Sequence, residues 1–388
     1  MTTHLKCLYC ENPLDGSGEH VILSALGGKK QTHNACCNPC NNRLGTEIDK
    51  PFADSLQVFS NQVGITTGRG KPAPTLRKLD SGLGYEVNLR GQKPEVAKAS
   101  VKTETLPNGQ IRVNIQARNE EEARRLLAAQ LERFKGKGEI GAVTAESVSQ
   151  YLPQMRFSLK LGGSLGLRSV AKMMLNYLCI NVRPDQVRLG VSAEIIKFIS
   201  AGERPPEPWV DFDHRCVFPA TPNPQPFQHR LFVFASPNRG LVFGLLELFG
   251  ALRFSGLLAE TWSGPEINRA YVIDPITNEA FDATVVPPAE IGREYFATRR
   301  FDLGVASKQL QAFFSTLGDL QRRQNLNEMI ESSYHSQMPG EGEVITNDHI
   351  QKLARDLAGR FVVSLYRIDS REPLDPTTLM PSPEEDKK

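Results

Sequence analysis

The sequence predicts an α+β protein. A small N-terminal module over residues 1–55, held together by metal, precedes a larger mixed α/β region with antiparallel strands. Three observations predict this. Five of the seven cysteines, Cys7, Cys10, Cys36, Cys37 and Cys40, fall within the first 40 residues. From residue 84 onward, segments of strand-like alternation trade places with segments of helical period. Residues 229–273 then read as a meander of apolar strands parted by short turns.

Composition bounds the rest. The chain has 388 residues, 40 % hydrophobic and 23 % charged. That is the balance of a globular protein of two or three domains, and it excludes a wholly disordered or fibrous chain. No apolar run approaches the ~18 residues that cross a bilayer, so no membrane partner is expected. The opening MTTHLKCLYC lacks the apolar core of a secretory signal. The expected compartment is the reducing cytoplasm, where paired thiols bind metal rather than each other. The net charge of +2 means that any basic surface for nucleic acid must be local.

The elements follow in order. Residues 1–55 are dense in Cys, Asn and Gly and short of large apolar side chains, so they need a staple. Residues 56–83 read as a basic Gly/Pro-rich linker: GITTGRGKPAPTLRK carries Arg69, Lys71, Arg77 and Lys78 and no acid, making these four candidate nucleic-acid contacts. Residues 84–370 read as a recognition or regulatory region. GYEVNLRG and IRVNIQAR alternate as half-buried strands do. The segment 119–138 is an amphipathic helix, capped near Asn119, acidic in its first turn and closed by Lys135, Lys137 and Gly138. MRFSLKLGG is a strand and LRSVAKMMLNYLCI a helix buried on most sides. Residues 200–228 are a proline-rich connection that offers a break between two subdomains. Strands HRLFVFAS, LVFGLLELFG, LRFSGLLAE and AYVID follow, then helices over 303–328 and 346–363, and a disordered tail over 371–388.

Two Cys-x-x-Cys pairs, Cys7/Cys10 and Cys37/Cys40, are separated by 26 residues. Each pair puts two sulfurs on one tight turn, and together they supply four thiolates to a structural zinc. Cys36 is left over and reads as a small buried residue. The residues around the pairs exceed what a zinc ribbon needs. Glu19-His20 precedes Val21-Ile22, then come Leu26-Gly27-Gly28, His33-Asn34, and Asn41-Asn42 directly after the last cysteine, leading to Leu44-Gly45 and Ile48-Asp49.

The pattern C-x-x-C … E-H-x-I … L-G-G … N … C-x-x-C-N-x-x-L-G-x-x-I-D over residues 7–49 resembles the zinc-containing branch of the HNH (ββα-metal) endonucleases. The resemblance implies that His20 is the general base and that Glu19 and Asn41 hold a catalytic Mg²⁺ or Mn²⁺. It also implies that Asn34 orients the loop or the histidine, and that the substrate is DNA. Glu19 departs from the commoner aspartate by one methylene, and Asn41 stands where many relatives have histidine. His33 is a rival base and Asn42 a rival ligand, although a turn residue and a helix-start residue describe them as well. Asp49 is a further ligand or, more simply, a surface acid, and the second reading is favoured.

Residues 1–55 hold five basic and six acidic side chains and so are nearly neutral. Phosphate binding depends on basic side chains, so affinity must come from the 69–78 segment or from a partner. By architecture the large second region suggests a bacterial anti-phage effector. It would be activated by a nucleotide signal or by a protein such as a short prokaryotic Argonaute carrying a guide. The alternative is a zinc-stapled module that binds nucleic acid or protein without catalysis. Within 84–370, Leu161-Gly162-Gly163-Ser164-Leu165-Gly166 reads as a tight strand–helix turn rather than a phosphate loop. Asp211-Phe212-Asp213-His214 has metal-capable side chains that strand alternation explains equally well.

Overall fold

The computed structural model describes residues 5–82, 84–91, 93–134, 163–203, 209–215, 218–298, 300–340 and 342–369. The expected strand over 155–163, the Lys135–Gly138 helix end, Cys216 and the tail over 371–388 lie outside the described residues, as do parts of the 161–166 turn and of the 200–228 connection. The fold is α+β with antiparallel sheets, as the alternation predicts.

The chain divides into two compact units. The first comprises Met1–Leu76, Leu89–Pro94 and Ser158–Thr316, and the second Arg77–Asn88, Glu95–Phe157 and Leu317–Lys388. The cysteine-rich segment therefore groups with the strand meander far downstream in sequence.

In the first unit a two-stranded hairpin, β1 (Glu19–His20) and β2 (Gln31–Thr32), leads into helix α1 (Asn38–Leu44). A π-helical turn over Gly45–Asp49 joins α1 to α2 (Lys50–Ser55), and α3 (Gln57–Val63) follows. Residues 56–83 are thus not a linker from end to end. Val58, Phe59, Ser60, Asn61 and Val63 are all buried, so α3 is enclosed on most sides, and Phe59 stacks on Phe249 at 5.5 Å between ring centres. The buried Asn61 amide donates to the carbonyls of Pro74 and Leu89, both at 3.0 Å, which fixes the chain beyond the helix.

Strands β3 (Leu76–Asp80), β4 (Glu86–Arg90) and β5 (Lys93–Val96) form a three-stranded sheet. The hairpin of β6 (Ser100–Thr105) and β7 (Ile111–Gln116) and helix α4 (Glu120–Phe134) belong to the second unit. Asn119 caps α4 by accepting from the Glu122 N–H at 2.9 Å, as expected of that residue type.

The core of the first unit is a sheet of order β13-β12-β9-β10-β11-β8. Its strands are β8 (Val210–Phe212), β9 (His229–Ser236), β10 (Leu241–Leu248), β11 (Leu252–Ala259), β12 (Ile267–Ile273) and β13 (Ala280–Thr284). Every pairing is antiparallel. All of β10 is buried, so both faces of the sheet are covered. Helix α5 (Gly163–Asn181) covers one face. Gly244 and Gly256 are paired across β10 and β11, and each would meet Met174 of α5 if it carried a Cβ, at 2.6 Å and 2.8 Å. The two glycines are the groove into which α5 sits. Phe52 of α2 meets Phe254 of β11 edge-on at 6.1 Å.

Short helices α6 (Pro184–Gly190) and α7 (Ala193–Ala201) follow α5, and α8 (Arg293–Phe296) follows β13. Helix α9 (Leu303–Gln337) contributes residues up to Thr316 to the first unit, and α10 (Asn347–Asp369) lies in the second. No helix among the described residues is long and apolar enough to cross a membrane.

Candidate active site

The four sulfurs of Cys7, Cys10, Cys37 and Cys40 lie within 4.8 Å of one another, and Cys10 Sγ is 3.5 Å from Cys37 Sγ. A tetrahedral zinc with bonds of about 2.3 Å sets its sulfurs about 3.8 Å apart, so the quartet fits the ion. Cys37 caps α1 and Cys40 sits one turn inside it, with Pro39 in the first turn, where its missing N–H costs nothing. The other knuckle closes through the Cys7 N–H to Asn12 carbonyl bond at 2.8 Å. Burial first, then contacts with neighbouring thiols, raises the Cys40 thiol, whereas at Cys10 burial is outweighed by hydrogen bonds from the Asn12 backbone and the neighbouring cysteines, which lower the thiol. Cys36 is buried beside the quartet as a small apolar residue.

The hairpin between the knuckles is positioned by glycines. Gly27 has φ of +94°, and a Cβ on Gly28 would stand 1.8 Å from the Ile22 carbonyl oxygen. The Leu26-Gly27-Gly28 turn is thereby a backbone-on-backbone contact that only glycine permits. His229 of β9 fastens it from below: its Nε2–H donates to the Leu26 carbonyl at 2.8 Å and its Nδ1 accepts from the Phe249 N–H at 2.9 Å. Complete burial pushes the His229 imidazole down to about 4.

Glu19 and His20 are neighbours on β1, so their side chains leave opposite faces. Glu19 points inward and is 4 % exposed. Its Oε1 accepts from Lys172 Nζ of α5 at 2.6 Å, and the same ammonium bonds Asp49 Oδ2. Asp49 Oδ1 accepts from Ser169 at 2.7 Å. Asp49 is therefore not a surface acid: the helix running from α1 into α2 turns it inward to the ammonium it shares with Glu19. Burial raises the Glu19 carboxyl and Lys172 opposes the rise.

His20 points outward and is partly exposed. The Gln31 amide donates to its Nε2 at 3.1 Å, which leaves the imidazole neutral with its proton on Nδ1. Burial, then the Arg69 guanidinium, then Lys172 hold its pKa below the ordinary value. Its carbonyl accepts from Asn176 of α5 at 2.9 Å.

The Asn41 amide donates to Ser17 Oγ at 3.1 Å and the Gly18 carbonyl at 3.0 Å, placing the side chain at the entry to β1 with its oxygen turned away from these bonds. Asn34 donates to the Cys179 carbonyl of α5 at 3.5 Å, so its amide braces the hairpin rather than His20. His33 is exposed on the Gly16 carbonyl and Asn42 is exposed on Asn38, as turn and helix-start residues are.

The four basic residues of 69–78 do not form one loop. Arg69 and Lys71 lie in a tight turn closed by the Thr67 N–H to Lys71 carbonyl bond at 2.7 Å, and Gly68 N–H donates to Ser24 at 2.8 Å, four residues after His20. A Cβ on Gly68 would stand 1.9 Å from the Gly28 carbonyl oxygen. Arg77 and Lys78 are exposed on β3 in the second unit. Asp213 is fully buried and accepts from Ser255 at 2.5 Å and Tyr295 at 2.6 Å, with Arg300 at 3.4 Å, so it is part of the core rather than a metal ligand.

A hairpin and a helix, joined by four thiols placed to hold a metal ion, define a ββα module. Residues 7–57 match the family model described as HNH endonuclease. No curated protein and no solved structure matches the chain. Lys172, Ser169 and Asn176 lie outside the matched segment and carry no motif. Their signal in the sequence is a set of polar residues inside the apolar helix LRSVAKMMLNYLCI.

Proposed function

We propose that the chain is a metal-dependent endonuclease that hydrolyses phosphodiester bonds of DNA. The observation that carries this reading is His20: a neutral, partly exposed imidazole on the hairpin of an HNH-matching segment, with its Nε2 lone pair directed outward to a replaceable amide. In that position His20 takes a proton from a water that displaces the Gln31 amide. Glu19, through the oxygen not bonded to Lys172, and Asn41, through its amide oxygen, are the groups that would hold Mg²⁺ or Mn²⁺. Both present the hard oxygen such ions take. The bound ion supplies charge neutralisation at the scissile phosphate and the leaving oxygen. Zn²⁺ at the four cysteines is structural. Arg69, whose charge acts on His20, is read as a phosphate anchor, Lys71 shares its turn, and Arg77 and Lys78 are read as further contacts to the backbone of the substrate.

The near-neutral charge of residues 1–55 supports a gated enzyme that needs a partner to present DNA. We read it as a cytoplasmic anti-phage effector activated by a nucleotide signal or by a protein such as a short Argonaute. One observation favours a second reading, a zinc-stapled binding module without catalysis: Glu19 is buried and already ion-paired.

Cleavage of plasmid and single-stranded DNA by the purified chain with Mg²⁺ or Mn²⁺, alone and with co-purifying partners, tests the choice. His20→Ala is expected to lower cleavage by at least about 100-fold, the scale of a lost general base, with zinc content unchanged. Cleavage surviving in the variant removes His20 as the base. No cleavage under any condition, partner included, favours the binding module.

A further inference from the structure

Helix α5 is buried along most of its length, yet three of its polar side chains point at one place. Ser169, Lys172 and Asn176 are each 0 % exposed. Their spacing of three and four residues puts them on one face over successive turns. Each bonds the segment that matches the HNH model: Ser169 to Asp49, Lys172 to Glu19 and Asp49, and Asn176 to the His20 carbonyl. Buried polar side chains in such a helix are costly unless paired, so the stripe is specific to this contact.

The charges within the cluster are unequal. Two carboxylates share one ammonium. Asp49 bonds through both oxygens, to Ser169 and to Lys172, whereas Glu19 bonds Lys172 through Oε1 and its carboxylate also receives the backbone N–H of His20. Lys172 and Asp49 form an internally neutral pair, and the surplus negative charge belongs to Glu19.

We propose that Lys172, braced by Asp49 and Ser169, is a positioning residue of the nuclease site, clamping one oxygen of Glu19 and leaving the other for the divalent cation. This rests on the reading of Glu19 as a ligand to that cation. The site is then composite, because the clamp comes from a helix more than a hundred residues beyond the matched segment. Two effects of removing Lys172 oppose each other. Loss of a positive charge favours a cation, and loss of the clamp frees a buried carboxylate to turn away. The clamp requires that the second dominate even though Asp49 loses its counter-charge as well. Outer partners of ligating carboxylates typically carry about 10–100-fold in metal affinity.

The test is Mn²⁺ binding to the zinc-loaded full chain, followed by electron paramagnetic resonance at fixed pH, for the wild type, Glu19→Gln, Lys172→Met and Asp49→Asn. Lys172→Met is expected to bind Mn²⁺ about 10–100-fold more weakly, with the zinc-to-chain ratio and far-ultraviolet circular dichroism unchanged. Binding as tight as wild type, or tighter, overturns the proposal. If Lys172→Met does not fold, the near-isosteric Asp49→Asn decides: about tenfold weaker binding supports the clamp, and wild-type affinity overturns it. Glu19→Gln at wild-type affinity removes Glu19 as a ligand, and the proposal with it. Weak binding in Glu19→Gln beside unchanged Lys172→Met overturns the clamp alone.

Discussion

At the scale of single residues, alternation along a two-residue strand separates the functions of neighbours. Glu19 enters the interior and His20 faces out, so adjacent positions meet opposite dielectrics. The neutral imidazole follows from partial burial and from two nearby cations, Arg69 and Lys172. Arg69 is the residue here whose role is read most directly from charge. Arg69→Ala is expected to raise KM for DNA about tenfold, with a smaller change in kcat. That is the loss of one charge-assisted phosphate contact, about 1.5 kcal/mol. Initial rates over a range of substrate concentrations check this, and a steeper fall in kcat than in affinity contradicts it. The pair Glu19-His20 was legible in the sequence because both types and their order belong to the motif. Lys172 was not, since an isolated lysine in an apolar helix says only that a partner exists, not which one.

At the scale of elements, short pieces depend on their neighbours. A two-residue hairpin and a seven-residue helix have no stability of their own. The four-cysteine cluster, placed to hold a metal ion, supplies one anchor. Cys40→Ser is expected to lower bound zinc from one ion per chain to a small fraction and to reduce the melting temperature, both measurable by elemental analysis and calorimetry.

His229 supplies another anchor, holding the glycine turn through the Leu26 carbonyl. Its pKa near 4 in the fold lies below the ordinary value of about 6.5. Protonation therefore favours the unfolded chain: the contribution is complete above about pH 6.5 and is lost as the pH falls toward 4. A shift of this size is worth roughly 3 kcal/mol. His229→Gln keeps an acceptor and a donor but does not titrate. Its stability is expected to fall less than that of wild type between pH 6.5 and 4, by denaturant titration at each pH, and parallel curves would exclude this role.

The strands of the meander were legible from their apolar runs and turns. Helix α3 was not, because its buried apolar positions Val58, Phe59 and Val63 are too few to establish a period beside a Gly/Pro-rich stretch.

At the scale of the whole molecule, the nuclease-like segment is part of a larger body and not a tethered head. Phe52, Leu56 and Phe59 are almost fully buried, against partners that include Phe254 of β11 and Phe249 of the β10–β11 turn. Arg188 of α6 donates to the Cys7 carbonyl and Tyr177 of α5 to Asp282 of β13, with Lys30 of the hairpin on the same aspartate. A fragment of residues 1–76 is therefore expected not to fold even with zinc present, because it exposes these aromatic faces to water. Amide dispersion in its nuclear magnetic resonance spectrum checks this, and a dispersed, native-like spectrum would show the segment to be autonomous.

The sequence by itself determined the motif at the N-terminus. Two Cys-x-x-Cys pairs, an acid–histidine pair and an asparagine after the last cysteine are statements about residue type and local spacing, and local spacing is written along the chain. It also determined the α+β class, because periods of two and of 3.6 are local as well. Tertiary structure alone decided that Asp49 turns inward, that Arg69 shares a site with His20 while Arg77 and Lys78 belong to another unit, and that a lysine on α5 holds Glu19. These are contacts between positions up to 153 residues apart. Such contacts are set by which faces can bury together around the sheet, and no local pattern encodes that choice.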